Sequence, residues 1–380
     1  MTPTKKICLI TTSELIVRWF LLDQLAALSR QYDVTLIVNT HDVNFLSDME
    51  MQVRVLPLSI ARQISPWHDG VALLQLIHIL RREQFDLVHS IAPKAGLLAM
   101  MAGAICRVPV RIHTFQGEVW VTRTGIMRKL LRFLDWVVAK LTTQSLVVSE
   151  SERNFLIKEG ILPINKSRVL AKGSICGVDI RRFSSTIGMR DANRIVLGID
   201  GSCMVFLYVG RLAVDKGILD LVAAFDQVRQ THPLALLLVV GPDEEGIQIR
   251  IRAMRLPSLD AIHFYGFSAT PELYIGAADI VCLPSYREGF GMVLLEAAAM
   301  GLPVLASHIY GIIDAVVEGE TGLLHVPGAV DEIVKKMRRL ADDENLRHCL
   351  GEQAMIRARR GFAQEYVTGE LIKFYESILI

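Results

Sequence analysis

Short apolar runs alternate with amphipathic stretches along this 380-residue chain, and this alternation constrains its fold more than any other feature. In the first half, runs such as KICLITT, DVTLIVNT and DLVHSI are separated by candidate helices such as VALLQLIHILRREQ. The second half repeats the pattern, from CMVFLYVGR through LALLLVVG and DIVCLPS to GLLHV. Strands that alternate with helices form parallel sheets covered by helices on both faces. The sequence therefore predicts two α/β domains with parallel sheets.

The apolar periodicity breaks at GVDIRRFSSTIGMRDANR, which predicts a domain boundary there. We expect Rossmann-like domains in residues 1–183 and 184–362, followed by a helix in residues 363–380 that packs back on the first domain. Ligands of open parallel sheets bind beyond the carboxyl ends of the strands. Two such sheets facing each other predict a binding site in the cleft between the domains.

Charge is distributed unevenly between the two halves. Residues 1–182 contain 23 Lys and Arg against 15 Asp and Glu, whereas the remaining residues contain 18 against 25. This asymmetry indicates either an anionic surface or ligand for the first half, or ordinary scatter.

Several classes of protein are disfavoured by the sequence. Apolar stretches such as AGLLAMMAGAIC are too short to span a bilayer, and the start MTPTKKICLITT lacks the features of a signal peptide, so we expect a cytoplasmic protein. The six cysteines form no CxxC pair and no cluster with histidine, which predicts buried free thiols and no metal site.

Two carboxylates, Glu288 and Glu296, interrupt the otherwise apolar segment REGFGMVLLEAAAMGLPVLAS. Glu288 lies in a loop that follows a predicted buried strand, and Glu296 lies about one turn into a helix that begins near Met292. The free N–H groups and dipole of that helix favour an anion, and Gly289 and Gly291 allow close approach of the backbone. Carboxylates beside an anion indicate bound hydroxyls, such as those of a sugar and a ribose. Alternatively, Glu288 caps the helix and Glu296 pairs with a lysine or an arginine.

The segment LYVGRLAVDKG predicts a second strand followed by a loop, and this loop contains Arg211 and Lys216. A guanidinium group and an ammonium group suit a diphosphate, although two cations are also common in a solvated loop. The two loops together predict a site for a nucleotide diphosphate.

The segments GRLAVDKG, ELYIGAADIVCLPSYREGFGMVLLEAAAMGLPVLAS and YGIIDAVVEGETGLLH resemble the retaining glycosyltransferases of GT-B fold in family 4. Glu288 and Glu296 match the Glu-x7-Glu pattern of that family. The resemblance implies that Glu288 faces the hydroxyls of the donor sugar, that Glu296 accepts from the ribose, and that Arg211 and Lys216 hold the diphosphate. It also implies a set of further donor-binding positions: Gly210, Gly266, Phe267, Gly289, Phe290, Gly291, Met292 and Val293.

The first half is similar to bacterial transferases that add N-acetylhexosamines to polyprenyl-diphosphate-linked saccharides. The similar segments are SIAPKAGLLAMMAGAICRVPVRIHTFQGEVWVTRTGIMRKLLRFLD and GSICGVDIRRF. The resemblance implies a UDP-hexosamine donor such as UDP-GalNAc, a lipid-linked acceptor, and a role in O-antigen, capsule or glycan assembly. It places His113 across the cleft from the donor sugar, and Gln116, Gly117 and Glu118 in a loop that contacts the acceptor.

The loop after the first predicted strand, TTSELIVRW, departs from the family because it lacks paired glycines. Glu14 and Arg18 are therefore candidates for acceptor binding. The segment GIMRKLLRFLDWVVAKL predicts an amphipathic helix, which either packs on the core or lies on a membrane surface. Its predicted apolar face comprises Leu130, Leu131, Leu134, Val137, Val138 and Leu141, and its candidate lipid-boundary residues are Arg128, Lys129, Arg132 and Trp136.

The resemblance implies retention of anomeric configuration by front-face attack, without a metal cofactor. A sugar-nucleotide epimerase of the same fold and a non-catalytic sugar-nucleotide-binding scaffold are the alternatives. An NAD-linked dehydrogenase is disfavoured because no predicted strand is followed by GxGxxG.

Overall fold

The computed structural model of the protein describes residues 4–49, 51–60 and 65–379. The chain divides into two compact units, the first comprising Met1–Cys176 with Gln364–Ile380 and the second comprising Gly177–Ala363. The structure thus divides the chain after Cys176, whereas the sequence placed the boundary after residue 183.

The first unit contains a seven-stranded parallel sheet with strand order β3-β2-β1-β4-β5-β6-β7. Its strands are β1 (Lys6–Thr11), β2 (Asp33–Val38), β3 (Val53–Pro57), β4 (Leu87–Ile91), β5 (Val110–Phe115), β6 (Gln144–Val147) and β7 (Ser167–Arg168). Its helices are α1 (Glu14–Ile16), α2 (Leu22–Leu28), α3 (Pro66–Glu83), α4 (Pro93–Ile105), α5 (Gly125–Leu141), α6 (Glu150–Lys158) and the C-terminal α15 (Gln364–Ile378).

The second unit contains a six-stranded parallel sheet with strand order β10-β9-β8-β11-β12-β13. Its strands are β8 (Met204–Val209), β9 (Ala235–Val240), β10 (Ile262–Gly266), β11 (Ile280–Leu283), β12 (Val304–Ser307) and β13 (Gly322–His325). Its helices are α7 (Met189–Leu197), α8 (Ile218–Arg229), α9 (Ile247–Ala253), α10 (Pro271–Ala277), α11 (Met292–Ala299), α12 (Ile312–Ala315), α13 (Val330–Asp342) and α14 (Glu344–Gly361).

Both sheets are built from continuous apolar runs because helices cover both of their faces. Strand β1 is buried except at its first residue, and strands β4, β11, β12 and β13 are buried throughout. The two parallel-sheet α/β units confirm the predicted fold class. In each sheet, the strands that follow the first strand are added on one side of it and later strands on the other side. The order of the strands therefore switches between β1 and β4 and between β8 and β11. Loops at such switch points form the crevices where α/β sheets bind ligands.

Helix α15 belongs to the first unit, where Leu371, Phe374 and Tyr375 join the apolar core. The Tyr375 hydroxyl lies 2.6 Å from Nδ1 of buried His89, and Nε2 of the same ring lies 2.7 Å from the hydroxyl of Thr114. A buried hydrogen-bond chain therefore ties the C-terminal helix to strands β4 and β5.

Helix α5 has apolar side chains both on the side that packs in the core and on its exposed side. Of its predicted apolar face, Leu131 and Val138 pack in the core, whereas Leu130 is exposed. Ridge A is our name for the exposed apolar side chains of α5, which are Ile126, Met127, Leu130, Phe133 and Trp136.

Candidate functional site

The loop between β11 and α11 brings Glu288 to the carboxyl edge of the second sheet, as the sequence predicts. The residue before the helix, Gly291, has a φ of 73°. Its missing side chain leaves room for Leu283 and Leu294, whose methyl carbons would lie 3.1 and 3.0 Å from a Cβ there. Because this position needs both a positive φ and little space, glycine is required. Helix α11 therefore begins directly at the end of this loop.

Lys216 forms an ion pair with Glu288. The Lys216 Nζ lies 2.5 Å from Oε1 of Glu288, and the Ser285 hydroxyl donates to the same oxygen at 2.9 Å. Both charged side chains are largely buried, with 13% and 14% of their surface exposed. Glu288 therefore does not cap α11, which has Gly291 without a side-chain cap at that position. A protein cation offsets the cost of burying this carboxylate.

The loop after β8 lies directly against the loop after β11. Gly217 has a φ of 68°, and a Cβ at this position would lie 2.0 Å from the carbonyl oxygen of Pro284. The backbone N–H of Tyr286 donates to the carbonyl of Asp215 at 2.9 Å. The Arg287 guanidinium lies 2.8 Å from the Asp215 carboxylate. Sequence reasoning missed Asp215 and Arg287, although opposite charges in VDKG and YREG were a usable signal.

Arg211 also has an acidic partner. Its Nη1 lies 2.6 Å from Oε2 of Glu244, and its carbonyl accepts from the hydroxyl of Tyr208 at 2.7 Å. Burial opposes the charged form of Arg211, but Glu244, together with the charges of Asp215 and Glu288, more than compensates and raises the pKa of the guanidinium. The next residue, Glu245, accepts the N–H of Val214 at 2.9 Å. Carboxylates of the protein therefore form ion pairs with both of the cations that the sequence assigned to a diphosphate.

Glu296 lies on α11 and is partly buried. Burial raises the pKa of its carboxyl to about 7, the charge of Arg182 acts in the opposite direction, and Glu272 adds to the rise. Arg182 and Glu272 form an ion pair at 2.8 Å. Arg182 thus has Glu272 as its ion-pair partner and acts on Glu296 only through its charge, and the charge of Glu296 at neutral pH is sensitive to what binds beside it.

The remaining predicted donor positions lie around the same edge of the second sheet. Gly210 follows β8 directly, and Gly266 ends β10 with Phe267 exposed after it. The Phe290 ring is buried and packs on Phe362 with ring centroids 5.4 Å apart, so its backbone is the part left for a ligand. Gly289, Met292 and Val293 lie in or next to the loop of Glu288.

His113 lies inside strand β5, two residues before its end, and only 3% of its surface is exposed. Its Nδ1 is 2.9 Å from the hydroxyl of Ser90, and its ring fills the space over Gly96, where a Cβ would lie 2.4 Å from the ring. Burial lowers the pKa of this imidazole to about 3, so it is neutral at physiological pH. A neutral imidazole acts as a hydrogen-bond partner and not as a cation.

The loop after β5 contains Gln116, Gly117 and Glu118. The Gly117 N–H donates to the fully buried carboxylate of Glu152, which fixes the loop to helix α6. The Glu118 side chain is itself buried, with 4% of its surface exposed. The indole N–H of Trp120 donates to Asp135 at 2.8 Å, and burial together with the charge of Glu118 raises the pKa of Asp135.

Glu14 and Arg18 lie at the start of the helical segment after β1. The Glu14 carboxylate accepts from the hydroxyl of Thr40 and lies 3.8 Å from Arg18. Arg18 stacks over the ring of Phe45 at 5.3 Å. Between α1 and α2 the chain forms a π-helical turn, Val17–Leu21, which the sequence pattern did not predict. Such turns are frequent near functional sites.

Within residues 4–49, 51–60 and 65–379, no group of three or more His, Cys, Asp or Glu side chains is arranged to hold a metal ion. No helix in these same ranges is both long and apolar enough to cross a bilayer.

Both units match models of known protein families. Residues 17–173 match the family described as "Glycosyl transferase 4-like domain", and residues 189–357 match "Glycosyl transferases group 1". Between them, the two models cover most of the chain.

Curated relatives align along most of both chains. Capsular polysaccharide biosynthesis glycosyltransferase CapM of Staphylococcus aureus is 29% identical over 326 residues, which are 86% of this chain and 85% of the relative. The UDP-Gal:alpha-D-GlcNAc-diphosphoundecaprenol alpha-1,3-galactosyltransferase of Escherichia coli is 26% identical over 324 residues, 84% of this chain and 82% of the relative.

Solved structures share the fold at low sequence identity. Sucrose-phosphate synthase from Thermosynechococcus elongatus superposes with a TM-score of 0.82 at 21% identity, covering 98% of this chain and 99% of the other. Anabaena Alr3699/HepE in complex with UDP gives a TM-score of 0.79 at 20% identity, covering 98% and 100%. WaaG, a glycosyltransferase involved in lipopolysaccharide biosynthesis, gives 0.75 at 17% identity, covering 97% and 98%.

Proposed function

Because this chain is a glycosyltransferase with the two parallel-sheet units of the GT-B fold, we propose that it transfers a hexosamine from UDP to a polyprenyl-diphosphate-linked saccharide. The observation that carries this proposal is the pair of loops at the edge of the second sheet. These loops place Lys216, Arg211, Glu288 and the start of α11 together. The names of the capsular and undecaprenol-linked relatives support the lipid-linked acceptor.

The cations of these loops suit the departing diphosphate. Negative charge grows on the diphosphate as the bond to the sugar breaks, and positioned cations and N–H groups stabilise that charge. Arg211 and Lys216 supply the cations, and the first turn of α11 supplies N–H groups. Both cations have carboxylate partners within their own unit. We therefore expect the incoming diphosphate to draw Arg211 from Glu244 and Lys216 from Glu288.

Glu288 then becomes an acceptor for the hydroxyls of the donor sugar. We propose retention by front-face attack, with the leaving phosphate helping to take the proton of the acceptor hydroxyl. Under this mechanism Glu288 positions the sugar and is not a nucleophile, and no metal ion takes part. Glu296 accepts from the ribose hydroxyls, and Gly266 and Phe267 lie beside the base.

The first unit is assigned to the acceptor. We propose that neutral His113 contacts the transferred sugar through a hydrogen bond, and that Gln116, Gly117, Glu14 and Arg18 line the acceptor path. Glu118 stays a proposed residue of this acceptor loop, and like His113 its side chain is buried. This unit carries the basic excess of the chain, which suits an acceptor that ends in a lipid diphosphate.

Ridge A suits the surface of a membrane. Its apolar side chains are exposed, and the basic residues Arg128, Lys129 and Lys140 on the same helix are also exposed. A helix of this kind lies in the interfacial plane, with apolar groups in the acyl boundary and cations at anionic headgroups. We propose peripheral contact with the cytoplasmic membrane through α5, on the inner face where lipid-linked saccharides of O-antigen and capsule are assembled.

A transfer assay tests the proposed function. The protein is incubated with UDP-GalNAc, UDP-GlcNAc, UDP-Gal and GDP-mannose, each with and without undecaprenyl-diphosphate-linked saccharide, and products are identified by mass spectrometry and NMR. We expect acceptor-dependent release of UDP from a UDP-hexosamine and a product with the anomeric configuration of the donor. An epimer formed without acceptor would indicate an epimerase instead, and UDP binding without any product would indicate a scaffold.

A further inference from the structure

Each of the two loops at the edge of the second sheet carries an acidic and a basic residue in succession, and the order of the two charges is reversed between the loops. Asp215 and Lys216 are consecutive in the loop after β8, and Arg287 and Glu288 are consecutive in the loop after β11. Arg287 pairs with Asp215 at 2.8 Å, and Lys216 pairs with Glu288 at 2.5 Å. Two adjacent ion pairs therefore join the loops. The loop after β8 supplies the carboxylate of one pair and the cation of the other.

The pair of Arg287 and Asp215 is embedded in further contacts. The residue beside Arg287, Tyr286, donates its N–H to the Asp215 carbonyl at 2.9 Å and its hydroxyl to Asp220 at 2.7 Å. Only 15% of the Arg287 side chain and 22% of the Asp215 side chain are exposed. Burial would raise the pKa of the Asp215 carboxyl, but Arg287, Lys216 and Arg211 hold it below its ordinary value. The Asp215 carboxyl is therefore ionised at neutral pH.

The two ion pairs have different fates in the proposed reaction, on which this inference rests. When substrate binds, Lys216 must contact the diphosphate in place of Glu288, and Glu288 must accept from the sugar hydroxyls in place of Lys216. Their mutual attraction therefore weakens. Arg287 and Asp215 have no such exchange to make in the proposed mechanism. We propose that Arg287 and Asp215 are positioning residues, which keep the two loops at a fixed separation while Lys216 and Glu288 bind the substrate.

A positioning role differs measurably from a contribution to stability alone. If the pair only stabilises the fold, its removal lowers the melting temperature and leaves turnover by the folded enzyme unchanged. If it positions Lys216 and Glu288, its removal lowers kcat, because a misplacement of about 1 Å at reacting groups costs about 100-fold in rate. UDP affinity should fall less than kcat, since Arg211 and the first turn of α11 still contact the diphosphate.

The test uses a double-mutant cycle in the full-length chain with UDP-sugar and lipid-linked acceptor. The variants are Arg287→Gln, Asp215→Asn and the double variant, with kcat, KM and UDP affinity by calorimetry as readouts. Arg229→Gln is the control for loss of a more exposed ion pair, because Arg229 pairs with Asp260 at 2.5 Å on the same unit, among residues outside the site. Asp215→Asn keeps the size of the side chain, so the cycle remains informative if Arg287→Gln folds poorly.

We expect each single variant to lower kcat about 10- to 100-fold with a change in UDP affinity of about threefold or less. We expect the double variant to be no slower than the slower single variant, because both changes remove one interaction. Normal kcat in both single variants, or multiplicative losses in the double variant, would overturn the positioning role. Failure of the wild-type enzyme to bind UDP or to transfer sugar would overturn the proposed function instead.

Discussion

Glu288 is the residue whose environment most clearly separates a ligand site from ordinary packing. The loop could have enclosed an apolar side chain here at no electrostatic cost, yet it encloses a carboxylate with a lysine 2.5 Å away. Replacing a buried ion pair by apolar residues is often neutral or stabilising, so such a pair adds little to stability. A functional role explains why both charges are present at the end of strands β8 and β11.

The first prediction concerns this pair. Glu288→Gln and Lys216→Ala should each lower kcat by about 100-fold or more, because each removes a group that acts on the developing charge or on the sugar. Circular dichroism checks that the fold is intact, and Arg229→Gln is the control for loss of a surface ion pair. Near-normal turnover in folded Glu288→Gln would remove the assignment of this site.

The second prediction concerns the pH dependence of Glu296. Its folded pKa of about 7 lies above the ordinary value of 4.5, so the folded state binds an extra proton between these values and becomes less stable as pH rises through them. The free energy of unfolding of Glu296→Gln should lack this decline between pH 5 and 8. Ribose hydroxyls favour the ionised carboxylate, so UDP affinity should rise across the same range more steeply in the wild type than in Glu296→Gln. Equal slopes in the two proteins would contradict the ribose assignment.

At the scale of elements, the site depends on two strand-to-helix loops that approach each other closely. Sequence pattern predicted both loops and their placement at strand ends, because strand and helix periodicities are local. It did not predict that Asp215 meets Arg287 or that Arg211 meets Glu244, because those contacts exist only after the sheet order is set. It also missed the two-residue strand β7, the π-helical turn and the exposure of Ile126, Met127 and Phe133 on α5.

The third prediction tests the close approach of the loops. Gly217→Ala should lower both melting temperature and UDP affinity, because the new Cβ would lie 2.0 Å from the Pro284 carbonyl oxygen and force the loops apart. Gly246→Ala is the control, because Gly246 has a similar positive φ of 65° but no atom within 4 Å of a new Cβ. The backbone strain is thus comparable in the two variants. An equal effect on UDP affinity in both variants would show that loop contact is unimportant.

The fourth prediction tests ridge A. Ile126→Ser should weaken binding to vesicles that contain anionic lipid, measured by co-sedimentation, while activity on a water-soluble acceptor analogue stays unchanged. Ile195→Ser is the control, because Ile195 is exposed to a similar extent, 80% against 86%, on helix α7 of the second unit. Vesicle binding that is insensitive to Ile126→Ser, or equally sensitive to both changes, would argue against α5 as the contact.

At the scale of the whole molecule, the sequence predicted two parallel-sheet units because each half repeats the same alternation of strands and helices. The division after Cys176 and the inclusion of α15 in the first unit depend on contacts such as that of Tyr375 with His89, which are far apart in sequence. The burial of Glu118 likewise has no local signal in the sequence. Motif resemblance supplied the roles of residues, and geometry supplied their partners.

The central claim is that the second unit binds the diphosphate of UDP with Lys216, Arg211 and the start of α11. A crystal structure of the enzyme with UDP tests this claim most directly. We predict diphosphate oxygens within hydrogen-bond distance of the Lys216 ammonium and the Arg211 guanidinium, with Glu244 displaced from Arg211. UDP bound at any other edge of the protein, with the Lys216–Glu288 and Arg211–Glu244 pairs undisturbed, would contradict the account.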